Sequence, residues 1–183
     1  MGFFTYGGLF AIQTLWAGPW MIRVAGYTPL ESAQGLFIIY LSMLISFFCW
    51  GYFVPKFSKN INDAIRWLKF GAPINLIVLA IIIYLGPKAG SIHWAIFIVS
   101  SIFLSLAHPA VGMAFSLSNA GKALTSFNLL LFIGAFFMQW VMGLIIDAGM
   151  SFNLSEINSF KLAMIFVFIT SLFSYFFFIK KVK

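Results

Sequence analysis

Six apolar segments, almost free of charged side chains, occupy nearly the whole of this 183-residue chain. A helix needs about 20 mostly apolar residues to cross the hydrocarbon core of a bilayer. Because backbone polar groups inside lipid must be paired within the protein, segments of this length are expected to be helices. The sequence therefore predicts an all-α polytopic membrane protein, with six transmembrane helices in one bundle over residues 1–183. The apolar runs are 1–22, 32–55, 70–87, 89–121, 123–146 and 162–179.

Composition excludes a soluble domain and points to the lipid bilayer as the first partner. The chain is 62% hydrophobic and 8% charged, whereas ordinary soluble domains carry about 25% charged residues. A soluble protein of this length could not bury so much apolar surface. The formal net charge of +7 comes from basic residues that flank the apolar runs, so nucleic acid is not expected as a partner. The single cysteine, Cys49, excludes a disulfide framework and a cysteine metal site, and the sequence predicts no cofactor.

The helices are predicted at about 2–23, 33–55, 67–86, 92–118, 123–147 and 160–179. Eight of the eleven Lys and Arg residues then fall on one side of the membrane. By the positive-inside rule, that side is cytoplasmic, so a multi-pass protein of the bacterial inner membrane with both termini inside is expected. No basic region precedes the first span, so it is not a signal peptide, and we expect the chain to begin within a longer protein. The eight residues are Lys56, Lys59, Arg66, Lys69, Lys122, Lys180, Lys181 and Lys183.

Polar side chains are concentrated in the first, second, fourth and fifth helices. Positions 3, 4, 7 or 11 apart share a helix face, and those four helices carry polar stripes, whereas the third and sixth are almost uniformly apolar. The first, second, fourth and fifth helices are therefore expected to face protein or water, and the third and sixth to face lipid. Small and hydroxyl side chains at helix contacts give the alternative interpretation, ordinary interhelical packing. The stripes are Tyr6, Gln13, Trp16 and Trp20; Ser42, Ser46 and Cys49; Ser101, Ser105, His108, Gly112 and Asn119; and Asn128, Ala135, Gln139 and Gly143.

Two proline positions suggest an internal repeat. Gly18-Pro19 and His108-Pro109 each lie about 17 residues into the first and fourth helices, where a proline interrupts helical hydrogen bonding. Units of three helices that cross the membrane in opposite senses form an inverted 3+3 repeat, an arrangement common in transporters. Chance matching of two prolines is the alternative.

Several segments resemble the C-terminal half of a major facilitator superfamily transporter, over essentially all 183 residues. The segment QTLWAGPW at 13–20 resembles the opening helix of the second half in a bacterial branch of that superfamily. GKALTSFN at 121–128, GAFFMQW at 134–140 and GLIID at 143–147 add to the likeness. The segment 51–59, with Gly51 and Lys56, resembles the family's cytoplasmic Gly-x-Leu-Ala-Asp-Arg loop, with Pro55 where the motif has Asp.

The resemblance implies a secondary transporter in which two six-helix bundles rock about a central site for a small-molecule solute. This chain supplies one bundle, so its partner would be the missing N-terminal half or a second copy of itself. The residues expected along the solute pathway are Gln13, Trp16, His108, Asn128 and Gln139, with Gly18, Pro19 and Pro109 as helix breaks. A truncated or non-transporting six-helix membrane protein, such as an assembly partner or gene relic, is the alternative.

His108 is the one ionisable side chain deep in a predicted span. Histidine changes charge near neutral pH, so it could carry a proton or bind an anion. It could instead be a neutral ring that caps the backbone gap left by Pro109. An enzyme is not expected: a six-span intramembrane protease would need an activated serine with a partner histidine, and no such motif accompanies His108.

Overall fold

The computed structural model describes residues 1–182, and this part of the chain contains helices and short connections but no strand. Helices α2 to α6 are each long and apolar enough to cross a membrane. The structure thus confirms the all-α class and supports a multi-pass membrane protein; Lys183 lies outside the described residues. The helices are α1 at 2–23, α2 at Pro29–Phe57, α3 at Ile61–Leu85, α4 at Ser91–Met113, α5 at Leu117–Ser151 and α6 at Glu156–Lys181.

Side-chain caps fix the starts of three helices. Thr28 and Glu31 form a capping box at the start of α2, with Pro29 in the first turn. Asn60 accepts a hydrogen bond from the Asp63 backbone N–H, at 3.0 Å, and so begins α3. Ser155 caps α6 in the same way. Caps of this kind satisfy backbone donors that have no intrahelical partner.

Helices α1 and α4 depart from regular α-helical geometry. Residues Gly2–Tyr6 and Ile12–Trp16 of α1 form π-helical turns, and residues Ser101–Leu106 of α4 form a 3-10 helix. Such segments change the number of residues per turn and often occur at functional sites. A stripe predicted from a constant period of 3.6 therefore does not stay on one face of α1.

Several predicted boundaries are wrong. The fourth helix, predicted to reach residue 118, ends at Met113, and α5 begins at Leu117 after Ser116 adopts an extended conformation. Asn119 and Gly121 consequently lie in α5, and Asn119 does not extend the polar stripe of the fourth helix. The second helix continues through Pro55 to Phe57. Gly51 and Lys56 are therefore helical residues and not part of a loop as predicted.

Burial within the bundle differs between α2 and α3. In its most apolar window α3 is 39% buried, whereas α2 is 6% buried. Helix α3 packs closely on α4 at Gly71 because this residue has no side chain. A Cβ there would overlap the Phe103 side chain. On α2, only Ser32, Gly35 and Ile39 are buried. Thus α3 is the more buried of the two helices, although one face of it stays exposed, and α2 presents most of its surface to the outside.

The buried centre of the bundle includes two tryptophans. Trp20 and Trp94 are fully buried and meet edge to face with their ring centroids 5.6 Å apart. The Trp20 indole N–H donates to the Ala89 carbonyl at 3.1 Å. Because their rings are covered by α1, α4 and the preceding turn, these side chains hold the bundle together instead of facing lipid headgroups.

Two contacts of charged side chains mark the two opposite ends of the bundle. The Lys69 ammonium donates to the Val182 carbonyl, which brings the start of α3 beside the end of α6. Arg23 lies 3.7 Å from Glu156, where α1 ends and α6 begins. We call the first of these two ends the terminal end of the bundle, because residues 1 and 182 both lie there.

Candidate functional site

A cavity of about 290 Å³ lies between α1, α2 and α4 and contains two of the predicted site residues. Gln13 and His108 line it, together with the hydroxyl groups of Ser101 and Ser105. The rest of its lining is aromatic or aliphatic, and Phe47, which is 47% exposed, stands at its rim. The lining is Tyr6, Leu9, Phe10, Gln13, Met43, Phe47, Ser101, Ser105 and His108.

Gln13 sits in the second π-helical turn of α1 and joins α1 to α2. Its side-chain amide lies 2.8 Å from the Met43 sulfur, which is a weak acceptor. Its backbone carbonyl accepts a hydrogen bond from the Tyr40 hydroxyl, also at 2.8 Å. Since Met43 can satisfy the amide only weakly, Gln13 keeps donor and acceptor capacity that faces the cavity.

His108 joins α4 to α5 through Asn128. The Nε2 atom of His108 lies 3.0 Å from Oδ1 of Asn128, and the imidazole packs edge to face against Tyr6 and Phe127. This contact replaces the predicted alternative in which His108 caps the backbone gap at Pro109. Only one ring nitrogen is used in this way, so the other can face a ligand.

Gln139 and Trp16 form a separate polar contact between α1 and α5. The Gln139 amide donates to the Thr14 hydroxyl at 2.7 Å, and the Trp16 indole donates to the Gln139 carbonyl at 3.2 Å. Neither Gln139 nor Trp16 lines the cavity. The five predicted residues therefore divide into a cavity group, Gln13 and His108 with Asn128 behind it, and a neighbouring group of Trp16 and Gln139.

The predicted helix-break residues lie in helical backbone. Gly18 and Pro19 belong to the α-helical segment Ala17–Arg23 that follows the π-helical turn, and Pro109 belongs to Ala107–Met113, which follows the 3-10 helix. The Gly18 carbonyl accepts a hydrogen bond from the Ser32 hydroxyl at 3.2 Å. In both helices the irregular turn precedes the proline, so the chain changes its hydrogen-bond pattern without breaking.

The residues of the proposed cytoplasmic motif lie away from this cavity. Gly51 has open space around its Cα, and the Lys56 ammonium stands 3.8 Å from the centre of the Tyr52 ring, a cation–π contact. Both residues lie in the part of α2 that is nearest to the terminal end of the bundle. Their position is independent of the polar side chains that line the cavity.

Sequence reasoning missed contacts that depend on helix geometry. Thr14, the partner of Gln139, follows Gln13 directly, and the π-helical turn points these two neighbours toward α5 and α2 respectively. The Trp50 indole of α2 donates to the Ser105 hydroxyl of α4 at 3.1 Å, and this contact joins the two helices beside the cavity. Ser101 and Ser105 could be found from their spacing with His108, whereas no sequence signal identified Thr14 or Tyr40.

The site contains no fixed charge. Carboxylate, ammonium and guanidinium groups are absent from the cavity lining, and residues 1–182 contain no cluster of His, Cys, Asp and Glu that could hold a metal ion. The chemistry available is hydrogen bonding by amide, hydroxyl and imidazole groups between aromatic walls. Comparison with protein-family models, curated proteins and solved structures finds no match to this chain.

Proposed function

We propose that this chain is a six-helix half of a secondary transporter, similar to the C-terminal half of the major facilitator superfamily, that moves a small solute by alternating access. One observation carries the proposal: Gln13 and His108 face one partly open cavity in an otherwise apolar membrane protein. Polar side chains within a membrane are costly and commonly mark a solute pathway. A mostly apolar pocket with a few converging polar groups is also the usual form of a small-molecule site.

The packing of the helices supports an inverted 3+3 repeat. Helix α1 packs on α5, and its counterpart α4 packs on α2. In the same way α3 packs on α4, and its counterpart α6 packs on α1. Both α1 and α4 contain an irregular turn before their proline. These exchanged pairings are those that a two-fold relation between α1–α3 and α4–α6 would produce.

The cavity is partly open, and a second bundle would close its open side. In the superfamily the two halves pack about a central site, so the partner would be an N-terminal half or a second copy of this chain. In the completed transporter, replacement of Gln13 or Asn128 with Ala should weaken transport without loss of insertion. Unchanged uptake kinetics in both variants would count against the site.

Water access to Gln13 tests the pathway without knowledge of the solute. In a Cys49→Ser background, Gln13→Cys in membranes should react with a membrane-impermeant thiol reagent. Leu15→Cys is the matched control, since Leu15 lies at nearly the same depth of α1, is 47% exposed and does not line the cavity. Equal labelling of the two positions would contradict an aqueous pathway at Gln13.

We further propose that the terminal end faces the cytoplasm of a bacterial cell, with six spans across the inner membrane. The excess of Lys and Arg at this end supports that orientation. A green fluorescent protein fused after Lys183 should fluoresce, and alkaline phosphatase fused there should be inactive. Active phosphatase at this position would reverse the orientation.

A six-helix membrane protein without transport activity is the second candidate. It is favoured by the fact that all five predicted site residues make hydrogen bonds within the chain. Such bonds are the normal result of helix packing in membranes. In that case the polar residues would contribute to stability alone, and both cysteine positions would be protected equally.

A further inference from the structure

A second hydrophobic groove, distinct from the candidate solute site, opens between α2 and α3 at the terminal end. Its outer part has a volume of about 420 Å³, and its inner part, toward α4, has a volume of about 280 Å³. The two parts adjoin at Phe57 and Trp67, which line both of them, and the Trp67 indole N–H donates to the Phe57 backbone carbonyl at 3.3 Å. The outer part is lined by Phe57, Asp63, Arg66, Trp67 and Phe70, and the inner part by Trp50, Phe53, Val54, Phe57, Ser58, Trp67, Phe103 and Leu106.

The groove exists because α2 and α3 do not pack along each other. Helix α5 packs closely on α6, whereas the corresponding pair α2 and α3 makes few close backbone approaches. Aromatic rings line the resulting gap. Trp67 stacks on Phe103 with ring planes 17° apart, and Trp50 meets Phe103 edge to face at 5.0 Å. These contacts give the groove a rigid apolar wall.

The walls of the groove change from apolar to charged along its length. The inner part is lined by aromatic and aliphatic side chains and one serine, and it runs along α2 toward the membrane interior. Arg66 and Asp63 lie at the outer part, beside the turn that carries Lys59. A molecule that fits both parts would combine an apolar chain with a charged head.

Charge at this end favours an anion. Asp63 is the one acid there among residues 1–182, and its carboxylate accepts from the Lys59 backbone N–H at 3.1 Å. Within the same residues the one ion pair is Arg23 with Glu156, at the opposite end, so Arg66 has no carboxylate partner. The basic residues of this end in the described chain are Lys56, Lys59, Arg66, Lys69, Lys122, Lys180 and Lys181.

We infer that this groove is a binding site for an anionic glycerophospholipid of the leaflet at the terminal end. One acyl chain lies between Trp50, Val54 and Phe103, and the phosphate group lies beside Arg66. Basic pockets between transmembrane helices commonly bind acidic lipid headgroups. The inference depends on the membrane setting of the protein and not on the proposed transport function.

Native mass spectrometry of the full chain tests the headgroup contact. The protein is taken from nanodiscs of phosphatidylcholine that contain a minor fraction of phosphatidylglycerol, and the retained lipids are counted. Arg66→Gln should lower the preference for phosphatidylglycerol about fivefold, the change expected for one basic residue near an anionic surface. Lys122→Gln removes the same charge at the same end from an exposed residue outside the groove, and it should leave the preference nearly unchanged.

Equal losses in the two variants would overturn the site in favour of general attraction to the basic end. An unchanged preference in both variants would also overturn the site. Arg66 is exposed, so Arg66→Gln should fold normally, and the elution profile of the purified protein checks this.

The acyl-chain contact is tested separately by filling the groove. Val54→Trp should displace phosphatidylglycerol, whereas Val99→Trp, at an exposed position of α4 outside the groove, should not. Soluble glycerol 1-phosphate, which carries the headgroup chemistry without a chain, should not compete. Retention of lipid by a well-folded Val54→Trp protein, or displacement by glycerol 1-phosphate, would overturn the proposed lipid site.

Discussion

The Nε2 atom of His108 lies 3.0 Å from the Oδ1 atom of Asn128, and this contact joins α4 to α5. Either neutral or protonated imidazole can donate from Nε2 to an amide oxygen. The contact therefore requires the ring to carry a proton on Nε2. It holds the ring against Tyr6 and Phe127 while the cavity side of the ring stays available.

A double-mutant cycle should detect this contact as a coupling free energy. His108→Ala and Asn128→Ala should each lower the free energy of unfolding in detergent. The double variant should lose less than the sum, with a coupling of about 0.6 kcal/mol, the average measured for interhelical hydrogen bonds in a membrane protein. Additive losses would show that the two side chains do not interact in solution.

A close backbone contact between α1 and α5 makes Gly134 intolerant of a side chain. A Cβ at Gly134 would overlap the Phe3 carbonyl, and a Cβ at Gly7 would overlap Gly134 in return. Since backbone cannot rotate away as a side chain can, Gly134→Ala should destabilise the bundle by about 1–3 kcal/mol, measured by thermal unfolding in detergent.

Gly121→Ala is the matched control for Gly134→Ala on the same helix. No atom lies within 4 Å of a Cβ placed at Gly121, and Ala is favoured over Gly within a helix by about 1 kcal/mol. We therefore expect Gly121→Ala to be neutral or stabilising. Similar destabilisation by both variants would mean that the close approach of α1 to α5 is absent.

Hydropathy predicted the class of fold because the length of an apolar run is set by the bilayer. The helix ends were less predictable, since Gly121 stands inside α5 while the helix begins at Leu117, directly after Ser116, whose side chain makes no capping hydrogen bond. The site was predicted in part. Gln13 and His108 line one cavity, whereas Trp16 of the α1 stripe does not line it and Trp20 is buried in the core.

Asn75 links α3 to α4 by two hydrogen bonds from one buried amide. It donates to the Phe97 carbonyl and to the Ser100 hydroxyl, each at 2.9 Å. Asn75→Ala should lower the free energy of unfolding by about 1 kcal/mol, and Asn75→Asp by more, because a buried carboxylate there would lie beside the Phe97 carbonyl oxygen and could accept only from the Ser100 hydroxyl. Exposed Asn62 in the first turn of α3 gives the control, and Asn62→Asp should be nearly neutral. Equal effects of Asn75→Asp and Asn62→Asp would contradict the buried contact.

The two buried indoles should respond differently to loss of their N–H groups. Trp20 donates to the Ala89 carbonyl, whereas the Trp94 N–H is buried and has no hydrogen-bond partner within residues 1–182. Both Trp→Phe changes remove similar apolar area, but Trp20→Phe also removes a hydrogen bond, worth about 1 kcal/mol, while Trp94→Phe relieves an unsatisfied donor. Thermal unfolding in detergent should therefore find Trp20→Phe the less stable of the two variants. The opposite order would mean that the Trp94 N–H has a hydrogen-bond partner, such as an ordered water molecule between α1 and α4.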